Sequence, residues 1–245
     1  MRLRSLAATL VVAAVVAGVA SANGRTAPRL TVFAAASLTN VFPKIDPHAR
    51  YSFAGSNMLA AQIRQGLPAD VFASANTGLP WQLHRQGWVS RPVVFTSNRL
   101  VVVVAHGNPD RITSVRGLER PGLKIVMATA GVPVGDYTRK VLKRLGLSDL
   151  VDKAVSQETD VREVLAKVVL GEADAGFVYA TDAKTVKGKV SLLGIPSSAQ
   201  PQVLYAAAAV KSSSHLQAAK AWVRRLRSKR AQKKLRAAGF LRIPH

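Results

Sequence analysis

No cysteine occurs among the 245 residues, which excludes disulfides, thiolate chemistry and thiolate metal sites. Acidic residues are scarce: 13 Asp and Glu stand against 35 Lys and Arg, for a formal net charge of +22. The five histidines (His48, His84, His106, His215 and His245) fall in no metal-ligand spacing. No serine sits in a Gly-x-Ser-x-Gly elbow, and no carboxylate pair suggests acid–base work. An enzyme is therefore disfavoured. Internal repeats and low-complexity linkers are also missing, and beyond residue 22 no apolar run is long enough to span a bilayer.

What is present begins with a basic start, Met1-Arg-Leu-Arg4, followed by a nearly all-apolar stretch over residues 5–19 and the small-x-small triplet Ala20-Ser-Ala22. This order predicts a cleaved signal peptide over residues 1–22. A retained anchor is the alternative, but the apolar core is shorter than the ~20 residues of a spanning helix. Removing Arg2 and Arg4 leaves 22 − 2 = +20 on the mature chain. Such an excess invites a nucleic-acid reading. The charges, however, are densest in Arg224-Arg-Leu-Arg-Ser-Lys-Arg230 and Lys233-Lys-Leu-Arg236. These lie on helical patterns whose other face carries Leu216, Trp222, Val223 and Leu226, without the basic–aromatic interleaving that stacks bases. They read as a solvated helix face, and no specific nucleic acid is expected.

Strand-like runs alternate with helical periodicity, the signature of an α/β fold. Strands are expected at residues 30–35, 69–74, 100–105, 123–128, 175–179 and 203–210. Helices are expected after Ser56, over 79–88, from Val134 to a stop at Gly146, and from Asp160, which with Glu163 resembles a capping box. Two more helices close the chain. The valine- and alanine-rich strands at 100–105 and 203–210 bracket an α/β unit of domain size. A chain that crosses between two lobes and returns would look like this. Lobe 1 is expected over 29–105 plus 203–245 and lobe 2 over 106–202, with a ligand in the cleft beyond the strands' carboxyl ends.

Two segments carry the chemistry. Leu30-Thr-Val-Phe-Ala-Ala-Ala-Ser-Leu-Thr39 and Ser52-Phe-Ala-Gly-Ser-Asn57 each read as a strand that stops at small residues and a hydroxyl, where a helix should begin. Unpaired N–H groups and the positive end of the dipole suit such a turn to an anion. Together with Val132-Pro-Val-Gly135, Thr159-Asp-Val-Arg162, Phe177-Val-Tyr-Ala-Thr-Asp182, Ala69-Asp-Val-Phe-Ala-Ser-Ala75 and Ser97-Asn-Arg-Leu-Val-Val102, they resemble the periplasmic molybdate-binding proteins, the solute receptors of molybdate ABC importers.

The resemblance implies a two-lobed periplasmic-binding-protein fold of type II. It also implies a molybdate or tungstate oxyanion held by neutral donors: the hydroxyls of Ser37, Ser56 and Tyr179 and the main-chain N–H groups of Val134 and Val161. Cofactors are not expected, and molybdenum enters only as bound molybdate without direct protein ligands. The implied partners are the permease and ATPase subunits of an importer, with the receptor itself a monomer. Without a cysteine the chain cannot carry an N-terminal lipid, so a freely diffusing protein in an enclosed periplasm is expected.

Taken singly, these residues have plainer readings. A serine at a helix start is commonly an N-cap, a tyrosine at a strand end is amphipathic packing, and Val134 and Val161 are ordinary helix apolars. Asp160 and Asp182 flank the site as expected helix-start caps. The chain also departs from the family pattern. The Ser37–Ser56 interval is short, Pro43 and Pro47 limit the helix below Ser37 to a turn or two, and Val134 is bulkier than usual there. Sulfate or phosphate receptors are the alternative.

Overall fold

Ten strands segregate into two five-stranded mixed sheets in the computed structural model, which describes residues 28–244. The signal peptide expected over 1–22 lies outside the described residues. The first part of the chain forms β1 (Thr31–Ala35), a 3-10 turn (Ala36–Leu38), α1 (Phe42–Ile45), β2 (Arg50–Ala54), α2 (Ser56–Arg64), β3 (Val71–Ser74), α3 (Gly78–Arg85) and β4 (Val93–Asn98). The middle forms β5 (Leu100–Ala105), β6 (Ile125–Ala128), α4 (Pro133–Leu145), β7 (Ser156–Glu158), α5 (Val161–Val169), β8 (Ala175–Tyr179), α6 (Ala180–Thr185) and β9 (Val190–Leu193). The chain ends with β10 (Val203–Ala209), α7 (Leu216–Arg225) and α8 (Lys229–Ala238).

The first sheet has the order β2-β1-β3-β10-β4. Strand β1 runs parallel to β2 and β3, and β10 runs antiparallel between β3 and β4. The second sheet, β7-β6-β8-β5-β9, repeats the scheme: β6 is parallel to β7 and β8, and β5 is antiparallel to β8 and β9. Strand β5 is buried because it lies between two neighbours under a helix layer, as its unbroken valines require. Its pairing corrects the expected boundary. Residues 100–105 belong to the second sheet, and the chain crosses at Arg99, between β4 and β5. The expected boundary ran past β5 because a run of valines does not reveal which sheet it joins.

Prolines and glycines place the ends of elements. Pro43 occupies the first turn of α1, where its missing N–H is harmless, and the helix is only four residues long. Gly146 ends α4 in the left-handed conformation, with φ of 69°. The strands at 93–98, 156–158 and 190–193 lacked a clear signal in the sequence. One has only three residues, and the others mix buried with half-exposed positions. In α7, α8 and the turn between them the outward residues Arg224, Arg227, Arg230 and Lys233 are exposed, and Trp222, Val223, Leu226 and Leu235 are buried.

Few polar ties join the two halves. Gln200, on the returning segment, accepts from Leu100 N at 3.3 Å and donates through Nε2 to Leu100 O at 2.7 Å. The two crossings are thereby clasped together. Across the cleft, Arg162 at the start of α5 donates through Nη2 to Asn40 Oδ1 at 2.7 Å. The same guanidinium places Nε 2.7 Å from Asp182 Oδ1, close in distance but poorly aligned for a hydrogen bond.

Asp182 therefore does not cap α6, as its place in the sequence had suggested. The N-cap position is Tyr179, and Asp182 lies inside the first turn with 0% exposure. Burial pushes its pKa from 3.8 to about 7, and the Arg162 charge only partly offsets this. A carboxyl whose pKa is raised on folding holds its proton more tightly in the native state. Its contribution to stability is complete below the unfolded value of 3.8 and is lost as pH rises through about 7. Asp182→Asn keeps the shape and removes the titration. In urea unfolding, the stability of the wild type relative to this variant should fall from about pH 4 to about pH 7 and level off above. Parallel curves across that window would show that Asp182 does not titrate there.

Candidate functional site

The parallel strands of both sheets point their carboxyl ends at one cleft, the place where open α/β sheets present backbone donors. The first half supplies Ala35, Ala36, Ser37, Ala54, Gly55, Ser56 and Ala75, from the ends of β1, β2 and β3. The second supplies Val132, Val134, Asp160, Val161 and Tyr179, from the turns after β6 and β7 and the end of β8. All five expected residues, Ser37, Ser56, Val134, Val161 and Tyr179, line this one space. The cavity they enclose measures about 10 Å³, roughly the room needed for the centre of one water molecule.

Close backbone approach makes the cleft this tight. A Cβ on Gly55 would stand 2.4 Å from Thr159 O in the opposite lobe. A Cβ on Gly135 would stand 2.2 Å from Thr129 O, inside the turn that begins α4. Only glycine fits at either position without moving main chain.

Neither serine is a helix cap. Ser37 lies within a three-residue 3-10 turn and Ser56 is the first residue of α2, and neither helix start receives a side-chain cap bond. Both are buried (3% and 1% exposed). Ser56 Oγ accepts from Ala75 N at 3.1 Å, which leaves its own proton to point elsewhere. Ser37 Oγ and the Tyr205 hydroxyl are 2.9 Å apart.

Main-chain donors come from two helix starts, where the first turn has no acceptor of its own. Val134 is the second residue of α4. Val161 is the first residue of α5, and its N-cap Asp160 accepts from Arg162 N at 2.6 Å and Glu163 N at 3.2 Å. The cap thus serves the two N–H groups after Val161 and passes over that of Val161. Glu163 reaches back to Thr159 N at 2.8 Å, so the box expected with Asp160 closes one residue earlier. Burial is the main influence on Asp160 and raises its pKa.

Tyr179 is the most telling residue. It ends β8 with 1% exposure, and its hydroxyl has no hydrogen-bond partner among the described residues. Burial first, and the neighbouring Tyr205 second, push its pKa well above the ordinary phenol value, so the group stays a neutral donor.

Three participants escaped the sequence. Gly55 stood in the sequence only as one of the small residues where its strand stops, although the lobe contact depends on it. Tyr205 sits inside a strand that reads as purely structural, and Asn98 lies within a segment singled out only for its family likeness. Asn98 Nδ2 donates to Thr181 Oγ1 at 2.8 Å and to the Tyr205 hydroxyl at 3.4 Å, while Asn98 Oδ1 accepts from Arg99 N at 2.9 Å. No pattern in one sequence links residues 37, 98 and 205.

A family model described as bacterial extracellular solute-binding protein matches residues 30–241. A molybdate-binding protein ModA of Mycobacterium tuberculosis is 37% identical over 221 residues, covering 86% of this chain and 84% of the relative. Among solved structures, the periplasmic molybdate-binding protein of Azotobacter vinelandii aligns with a TM-score of 0.78 and 24% identity, over 89% of this chain and all of the other. The sulfate-binding protein SubI of M. tuberculosis aligns with a TM-score of 0.75 and 20% identity, over 86% of both chains. At such identities the two structures speak for the fold alone, which is that of the two-lobed periplasmic binding proteins. Family model and sequence relative together identify the protein: it belongs to the bacterial extracellular solute-binding proteins, within their ModA group.

Proposed function

We propose that this protein captures molybdate, and tungstate with it, outside the cytoplasm and delivers it to the permease and ATPase of an ABC importer. The observation that carries this reading is the buried Tyr179 hydroxyl. It faces the cleft with no partner among the described residues, beside two serine hydroxyls and two helix-start N–H groups. Burying a donor unpaired is unfavourable unless something in the cleft accepts from it. A fully deprotonated tetrahedral dianion offers acceptors on every side, and hydrogen bonds to a charged acceptor are roughly twice as strong as neutral ones. Neutral donors also avoid burying a lysine or arginine that would itself need desolvation.

Sulfate is the second reading, favoured by the SubI likeness in fold and by the same donor logic. Phosphate fits less well. At neutral pH it keeps a proton that needs an acceptor, and Asp160, the carboxylate on the cavity wall, is engaged through Oδ1 by Arg162 N and Glu163 N. Within this reading the oxyanion is cargo and residues 1–22 direct export. No helix among the described residues is long and apolar enough to cross a membrane.

Ligand-stripped protein should melt higher with molybdate, because a ligand at a hundredfold excess over Kd stabilises the native state by about 2.7 kcal/mol. That corresponds to about 5–10 °C for a chain of this size. The same titration with tungstate, sulfate and phosphate ranks the anions, and a melting temperature unmoved by all four would refute the receptor. Tyr179→Phe and Ser56→Ala each remove a bond to a charged ligand, worth about 1.5–3 kcal/mol. Calorimetry should show molybdate affinity reduced at least about tenfold in each. Val134→Ala retains the main-chain donor and should bind as the wild type does.

Gly55→Ala tests closure. The added methyl meets Thr159 O and holds the lobes apart, so affinity should drop while the ligand-free melting temperature stays within a few degrees. An unchanged affinity would mean that the lobes need not approach so closely.

A further inference from the structure

We propose that Asn98 and Tyr205 are positioning residues that fix the direction of the Ser37 hydroxyl, so that it presents a proton rather than a lone pair to the cleft. The inference rests on the oxyanion reading above and names what sets the polarity of one of its donors. It begins at the main chain. Arg99 N–H can only donate, so the Asn98 atom 2.9 Å from it is the amide oxygen. The amide's NH₂ group must then face Thr181 Oγ1 at 2.8 Å and the Tyr205 oxygen at 3.4 Å.

An NH₂ group has no lone pair to offer. The Asn98–Tyr205 contact is long and weak as a bond, yet it forbids the phenol from pointing its proton towards Asn98. The remaining partner of the phenol is Ser37 Oγ at 2.9 Å. Tyr205 therefore donates, Ser37 accepts, and the serine's own proton turns to the cavity that Ser37 lines. Burial keeps the Tyr205 phenol protonated, which preserves this direction.

Three of the four groups, Ser37, Asn98 and Tyr205, stand on the first sheet or the turn that leaves it. The serine is thus set within one lobe and does not wait for the other to arrive. Residue 98 is also the last residue before the crossing at Arg99, so the amide that orients the donor is held by the main chain of the crossing itself.

The test reverses the relay without changing its shape. Asn98→Asp still accepts from Arg99 N, but its second carboxylate oxygen now draws the Tyr205 proton and turns the serine's lone pairs towards the cleft. Molybdate affinity, measured by calorimetry alongside thermal melting, should fall at least about tenfold. In a Tyr205→Phe background the same substitution should cost no more than about twofold, because the relay is cut. An equal loss in both backgrounds would show that the carboxylate acts through space, and the proposal would fail. Wild-type affinity in Asn98→Asp would also overturn it. If Asn98→Asp does not fold, the cycle runs between Tyr205→Phe and Ser37→Ala. Tyr205→Phe should then weaken molybdate by about two- to fivefold with Ser37 present and not at all in Ser37→Ala, and equal effects in both backgrounds would overturn the relay. Wild-type protein that binds none of molybdate, tungstate or sulfate removes both the receptor reading and this inference. Binding by the wild type with an additive cycle removes this inference alone.

Discussion

A donor sealed away from water needs an acceptor, and the rest of the cleft depends on that constraint. The Tyr179 hydroxyl is buried without one among the described residues, and the helix starts at Val134 and Val161 bring N–H groups that their own helices cannot use. Both sheets aim the ends of their parallel strands at this space, and glycines 55 and 135 let the backbones come close enough to enclose it. An interior that offers protons from several directions, with Asp160 the one carboxylate on its wall, suits an anion with no proton of its own. Charge balance in the cleft is then a matter of dipoles and hydroxyls: no lysine or arginine is among the residues that line it, and the basic excess is spread along the rest of the chain, densest over residues 224–236.

Local partners decide how each donor behaves. Ser56 has its lone pair taken by Ala75 N, Ser37 is paired with Tyr205, and Asp160 takes the two N–H groups beyond Val161. In each case a neighbouring bond removes an alternative direction, so the group is oriented before any ligand arrives. Such preorganisation lowers the ordering that binding would otherwise require. The Arg162 guanidinium combines two roles of another kind: it reaches Asn40 across the cleft and screens the buried Asp182 charge beside it.

Much of this was legible in the sequence, for identifiable reasons. Ser37, Ser56, Val134, Val161 and Tyr179 line one space, as the family resemblance implied, because each lies at or just beyond the carboxyl end of a parallel strand and the two sheets turn those ends towards each other. The short helix after Ser37 was foreseeable from Pro43, and the stop at Gly146 from glycine's tolerance of positive φ. The boundary at Arg99 was not legible, because β5 is apolar enough to be central in either sheet. Asp182 misled for a similar reason. Its spacing suits a cap, but its neighbour Arg162 lies 20 positions earlier in sequence, and only the packing of α5 on α6 brings them together. Asn98 and Tyr205 were invisible because a relay is a property of directions, and a sequence records only order.

The place of β10 bears on the order in which the molecule can assemble. This strand fills the gap between β3 and β4, yet it is made only after the whole second sheet. A chain emerging from its amino end therefore holds β1, β2 and β3 in one fragment and β4 unattached, with an unsealed strand edge. The intervening segment is continuous in sequence and can acquire its own core first. Once folded, it replaces a long floppy loop with a compact one whose two ends lie side by side, which shortens the search that closure would otherwise demand. The late arrival of one alanine-rich strand makes the inserted lobe a scaffold for completing the lobe that was begun before it.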